Sequence, residues 1–271
     1  MGVNTPAPRH LRAWCLSCIA LTVVVIGCAG SPPSLAAPTP CPTFEPGSVP
    51  LIDPVALGAL FADPEPWPLE GELVGLERQR IGDLSLPSGR VVAGDPLFLD
   101  FSGDPLVRSA PPGVYPVDIL LARLPGQVRV AAAIVRFSDA TASSFEQGQT
   151  INGDPPETCQ GFTLAFSVDS GTGGFAAAEF VEALVRAPRA SADAAYDAIV
   201  AQLDANEAGD WTSAIYEFES GTGNVVAMSS GYGDGDYPVF WLLDADGQPV
   251  ALLADFKVLG DERPKEEPPS P

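Results

Sequence analysis

Residues 237–256, YPVFWLLDADGQPVALLADF, read as two apolar runs separated by Asp244-Ala245-Asp246-Gly247. An Asp opening such a turn accepts from the backbone two residues on, and Gly takes the positive φ that closes it. The stretch is therefore a β-hairpin, and strands joined this tightly run antiparallel. Gly113 to Asp139 (GVYPVDILLARLPGQVRVAAAIVRFSD) is a second hairpin, with Leu-Pro-Gly-Gln as its turn. LPSGRVVAGDPLFLDF carries two apolar runs around Gly-Asp-Pro, and GFTLAFSVD, TSAIYEFES and NVVAMSS read as further strands. Between them lie two helical patterns, FAAAEFVEALVRA and SADAAYDAIVAQLDAN. The second has Ser191 as N-cap and Ala195, Ile199 and Leu203 as its apolar stripe. Strands, a helical pair and strands again predict an α+β fold, a mainly antiparallel sheet of sandwich or half-barrel kind with the pair inserted.

Two short echoes run through this pattern. Ser-Gly-Thr-Gly occurs at 170–173 and 220–223, and Gly-x-Tyr-Pro-Val at 113–117 and 235–239. They fit equivalent turns at strand ends, but repeats this short in a glycine-rich chain do not establish a duplicated fold.

The ends are of a different character. Arg9, His10 and Arg12 precede the apolar run Cys15 to Ile26, too short for a comfortable membrane span and organised like a secretory signal over residues 1–27. It closes on Val25-Ile26-Gly27-Cys28, which resembles the bacterial lipoprotein box with Cys28 as the acylated residue. An ordinary cleaved signal and an uncleaved anchor are the competing readings. Residues 28–50 then form a Pro-rich tether, residues 51–258 a single domain, and residues 259–271 a charged, Pro-rich tail. The expected location is extracytoplasmic, at a membrane surface, with the lipid bilayer engaged through acylated Cys28.

All 35 acidic residues follow the signal but two of the 14 basic ones do not, leaving about −23 on the mature chain. So acidic a surface excludes nucleic acid as a partner and leaves an unassigned protein or small molecule. The only histidine, His10, sits in the signal. The mature domain therefore lacks imidazole for Ser-His-Asp or Cys-His activation and for nearly every catalytic zinc site. Once Cys15 and Cys18 leave with the signal and Cys28 carries lipid, Cys41 and Cys159 remain, and in an oxidising compartment they pair as a disulfide.

SLPSGRVVAGDPLFLD, VYPVDILLA with RVAAAIVRFSDA, VDSGTGGF, and SGYGDGDYPVFWLLDADGQPVALLADF follow one another in the order of a known set. Together they resemble a bacterial family catalogued as domain of unknown function 4241, over about Leu84 to Val258. The resemblance implies a Cys and an Asp where this chain has Gly174 and Ala177, and a Trp where it has Phe145. It implies a domain but no activity.

The remaining question is FSVDSGTGGFAAAE, residues 166–179. Asp169-Ser170-Gly171 has the form of an aspartic-protease half-site, yet its echo carries Glu219 in place of a second Asp. Gly171 to Ala176 also fits a dinucleotide loop, but a second helix follows where a strand should. The plain alternative is a strand-to-helix corner, with Asp169 or Ser170 capping the helix. Asp234 and Asp236 sit on a glycine turn where a calcium ion could be held, whereas Asp244 and Asp246 are explained by their hairpin turn. Arg136 and Asp139 are expected as a core-organising ion pair. These residues give a non-catalytic binding module that needs no cofactor, a His-free carboxylate hydrolase gathering Asp139, Asp169, Ser170, Glu219 and Asp234, or a calcium-stabilised module.

Overall fold

The computed structural model describes residues 52–99, 103–150 and 167–260, all within one compact unit, Pro40–Pro271. The signal, the tether, Cys28 and the Cys41–Cys159 pair lie outside the described residues. In chain order the elements are α1 (Pro54–Ala59), β1 (Trp67–Leu69), β2 (Glu72–Leu86), β3 (Val91–Gly94), β4 (Gly113–Leu124), β5 (Gln127–Arg136), β6 (Ser144–Gln147) and β7 (Ser167–Val168). They continue with β8 (Thr172–Ala177), α2 (Ala178–Arg186), α3 (Arg189–Ala205), β9 (Ser213–Tyr216), β10 (Val225–Ser229), β11 (Gly235–Asp236), β12 (Val239–Leu243) and β13 (Pro249–Asp255). Among the described residues no helix is long and apolar enough to cross a membrane.

The strands form a seven-stranded sheet in the order β1-β2-β4-β5-β13-β12-β6, a four-stranded sheet β3-β8-β10-β9, and the small pair β11-β7. Pairing is antiparallel throughout. The fold is α+β, with the larger sheet curled like a half-barrel and α2 and α3 inserted between β8 and β9.

Both expected hairpins form. Gly126, at φ 76, closes the β4–β5 turn with Leu124 opposite Gln127. In the β12–β13 turn, Asp244 Oδ1 accepts from Asp246 N and Gln248 N, each at 2.9 Å. The central strands are buried on both faces, so they read as apolar runs rather than alternating ones. One face carries Val117, Ile119, Val135, Trp241 and Leu252 against the four-stranded sheet and the helices. The other carries Leu120, Ile134, Leu242 and Leu253 beneath α1 and the C-terminal segment. Burying a Leu or Val side chain contributes about 1.5–3 kcal/mol, so these two layers dominate the stability.

The Gly-x-Tyr-Pro-Val echo marks two equivalent hairpins. Val117 lies opposite Val135, and Val239 opposite Ala254. β5 and β13 pair so that Val135 meets Leu252 and Ala133 meets Ala254, a register symmetric about its midpoint. Tyr115 donates to Pro111 O at 2.6 Å and Tyr237 to Gly233 O at 2.7 Å, each four residues back. Each ring also meets a Phe just past the second strand edge-on, Phe137 at 5.0 Å and Phe256 at 5.1 Å.

Four expectations need correction. The glycines of residues 171–174 do not turn a strand into a helix. The turn is at Gly171 (φ 68), whereas Gly173 and Gly174 lie inside β8. At Gly174 the strands pack closely, since a Cβ would lie 2.8 Å from Val226 O. α2 starts only at Ala178, with Ala177 at its N-cap and no side-chain cap, so neither Asp169 nor Ser170 caps it. Residues after Gly94 fold into a turn rather than a second strand, since Asp95 Oδ1 accepts from Leu97 N at 2.9 Å. Pro188, not Ser191, holds the N-cap of α3, although Ala195, Ile199 and Leu203 form its buried stripe as expected. The packed domain extends past 258, because Leu259 is buried and accepts from Trp67 Nε1 at 3.1 Å.

Candidate functional site

Three separated segments that carry the motifs meet at one end of the four-stranded sheet. The antiparallel registers dictate this. Gly94 at the end of β3 faces Gly174, and Ser229 at the end of β10 faces Thr172 at the start of β8. The loops that continue from these points, 95–99, 169–171 and 230–237, are thereby brought together.

Asp95 organises the junction. It is 3% exposed, and both its oxygens are fully engaged. Oδ1 accepts from Leu97 N at 2.9 Å and from Ser170 Oγ at 2.8 Å. Oδ2 accepts from Asp169 N at 3.0 Å and from Ser170 N at 2.8 Å. Such charge-assisted bonds to backbone N–H groups are about twice as strong as neutral ones, and here they offset the cost of burying the carboxylate. Asp234 completes the grip on the turn, accepting from Gly171 N at 2.8 Å. Three successive backbone N–H groups, 169 to 171, are thus held by two carboxylates of the chain itself.

The third wall is the 230–237 loop. Ser230 N donates to Gly171 O at 3.1 Å, and Gly233 N closes a tight turn onto Ser230 O at 2.7 Å. Gly233 O also accepts from Ser230 Oγ at 2.9 Å. Burial pushes the Tyr237 hydroxyl up to about 12, against a smaller opposing effect of its hydrogen bond to Ser230. The phenol therefore stays protonated as a donor and is not a source of phenolate at neutral pH.

The sequence candidates are spread around this junction rather than gathered in it. Asp169 supplies a backbone N–H, and its side chain is exposed. Ser170 spends its hydroxyl on Asp95. Glu219 is exposed before the start of β10, the opposite end of that strand from Asp234, and its carbonyl accepts from Thr222 Oγ1 at 2.7 Å. Asp236 accepts from Ser167 Oγ at 2.6 Å. Asp139 is exposed in a loop beneath α1, and Arg136 pairs with Asp118 at 2.9 Å rather than with Asp139. Among the described residues, no three acidic or sulfur side chains are grouped to hold a metal ion. Phe145 packs edge-on to Phe240 at 5.7 Å.

Asp95 is the residue that sequence reasoning missed. Its signal was the Gly-Asp-Pro tripeptide, which marks a side-chain-closed turn. That turn also positions the wall of a groove of about 360 Å³, where Pro96, Leu97 and Phe98 face Ala192, Tyr196 and Ile199 of α3. Phe98 and Tyr196 are 41% and 46% exposed. Arg90 anchors α2 beside it, reaching Glu182 at 2.9 Å and Glu179 at 3.2 Å.

No curated protein and no solved structure matches this chain. A family profile does, over residues 84–254, more than half the chain and all three segments of the junction. The chain belongs to the DUF4241 family, whose description is protein of unknown function.

Proposed function

We propose that this chain is a non-catalytic binding domain, carried outside the cytoplasm on acylated Cys28 and its Pro-rich tether. The groove between Pro96–Leu99 and α3 is its recognition surface. Asp95 carries the reading. A carboxylate with two donors on each oxygen is fixed in place and poorly suited to moving a proton. Its bonds serve instead to hold the 95–99 turn, the groove's outer wall, at a set position against the Ser170 turn. The groove has the size and largely apolar lining of ligand sites, and two partly exposed aromatic rings supply contact area at low entropic cost. The missing histidine supports a binding role over hydrolysis, and the Val-Ile-Gly-Cys box supports the anchor. The partner is a protein or a small molecule that tolerates a strongly acidic surface.

A photo-crosslinking amino acid placed at Tyr196 and, separately, at Glu219 in living cells tests this. The expected result is an adduct from position 196 that is absent from position 219 and lost on Cys28→Ser, which also abolishes palmitate incorporation. Equal adducts from both positions, or acylation unaffected by Cys28→Ser, would contradict it.

A further inference from the structure

The outer face of the seven-stranded sheet holds a second cavity, away from the motif junction. It measures about 320 Å³ and lies between α1 and the 138–142 loop. Ile134, Leu242 and Val250 form an apolar floor. Gly58 lets α1 approach β12 closely, since a Cβ there would lie 2.5 Å from Leu242 Cδ1, and this fixes the height of the roof.

Arg136, the last residue of β5, is the one basic group among the cavity's lining residues. Its Nη2 lies 2.9 Å from Oδ2 of Asp118, a residue 1% exposed. That carboxylate neutralises the guanidinium's charge as an ion pair, but Asp118 Oδ2 makes no hydrogen bond. It does not fill the guanidinium's donors, because Arg136 Nε is buried without a hydrogen-bond partner. An unfilled buried donor is a cost that native structures retain for a reason. Ser138, Asp139 and Thr141 supply the other polar lining groups.

The charges decide the class of occupant. An anion would meet an arginine already paired with Asp118, the carboxylate of Asp139, and a chain of net charge −21. A cation would be placed beside Arg136. We propose that this cavity binds an uncharged small molecule with an apolar body and an acceptor oxygen, an amide, ester or alcohol. The body rests on Ile134 and Leu242, and the oxygen meets the accessible part of the guanidinium, whose side chain is 36% exposed.

1-Naphthaleneacetamide and 1-naphthaleneacetate share one apolar body and differ in charge, so the pair tests the class directly. Each is titrated into the purified full chain and followed by saturation-transfer NMR and calorimetry. The amide binds at millimolar concentration, and the carboxylate binds at least about tenfold more weakly. Ala142→Phe fills the cavity from the loop and Ala59→Phe from α1; both abolish the amide signal, whereas Tyr196→Ala in the separate groove leaves it unchanged. Arg136→Lys keeps a charge opposite Asp118 but loses the fork, and weakens the amide several-fold. The proposal is overturned if the carboxylate binds as tightly as the amide. It is also overturned if either filling variant, folded by circular dichroism, still binds, or if the amide does not bind the wild-type chain.

Discussion

The β4–β5 and β12–β13 hairpins begin with the same five-residue pattern and end on an equivalent Phe, yet they have different surroundings. In the first, Tyr115 is half-buried and its acceptor, Pro111 O, belongs to an exposed residue. In the second, Tyr237 is 5% exposed and reaches Gly233 O at 2.7 Å and Ser230 O at 3.2 Å. The loop it pins carries Asp234 back to Gly171, and so joins the hairpin to the Asp95 junction. The first hairpin is linked to the second through Phe137, which stacks on Trp241 at 5.6 Å. One tyrosine corner thus serves two ends: a simple anchor in one hairpin, and a platform on which the family's motif loops are assembled in the other.

Removing what is special to the second hairpin separates the two most strongly. Asp95→Ala leaves Leu97 N, Asp169 N and the Ser170 donors without their acceptor, and should cost about 4 kcal/mol in urea unfolding. A loss below about 1 kcal/mol would mean that the junction contributes little to the fold.

Next in size is Asp255, which takes in the second hairpin the place of Arg136 in the first. Burial pushes its carboxyl from 3.8 up to about 6, partly opposed by the Lys257 backbone N–H and ammonium. The folded state holds this proton to higher pH than the unfolded chain does. Its contribution is therefore fully present below about pH 4 and is lost as pH rises through about 6. Asp255→Asn, which keeps an acceptor for Lys257 N, should add up to about 3 kcal/mol at pH 8 and nothing below about pH 4. A pH-independent change would contradict the assignment.

The two corners themselves give the smallest contrast. Tyr237→Phe should cost about 2 kcal/mol and Tyr115→Phe under about 1, because the Tyr237 hydroxyl is buried and serves two carbonyls, whereas Tyr115 is half-buried and serves one on an exposed residue. Equal losses would erase the distinction drawn between the hairpins.

The hairpins were legible because Leu-Pro-Gly-Gln and Asp-Ala-Asp-Gly specify their turns by local chemistry alone. The helical pair was legible from its apolar spacing, though not its starts. The first falls where β8 ends, which strand pairing decides, and the second follows Pro188, which separates the two helices. The glycine run was misread because glycine serves turns and close strand packing alike, and only the approach of Val226 O to Gly174 separates the two uses. The site was hardly legible. Asp169 is the more conspicuous aspartate in sequence, but it contributes a backbone N–H. Asp95 does the organising from a position 74 residues earlier, a contact that no local pattern encodes.

The central claim is that Asp95 and Asp234 hold the 169–171 backbone as a fixed platform. Native-state hydrogen exchange at those three amides tests it most directly. All three should be protected in the wild-type chain. Asp95→Ala, at a temperature where it remains folded, should release Asp169 and Ser170 while Gly171 stays protected, and Asp234→Ala should release Gly171 alone. Free exchange of these amides in the wild type, or an unchanged pattern in both variants, would contradict the account.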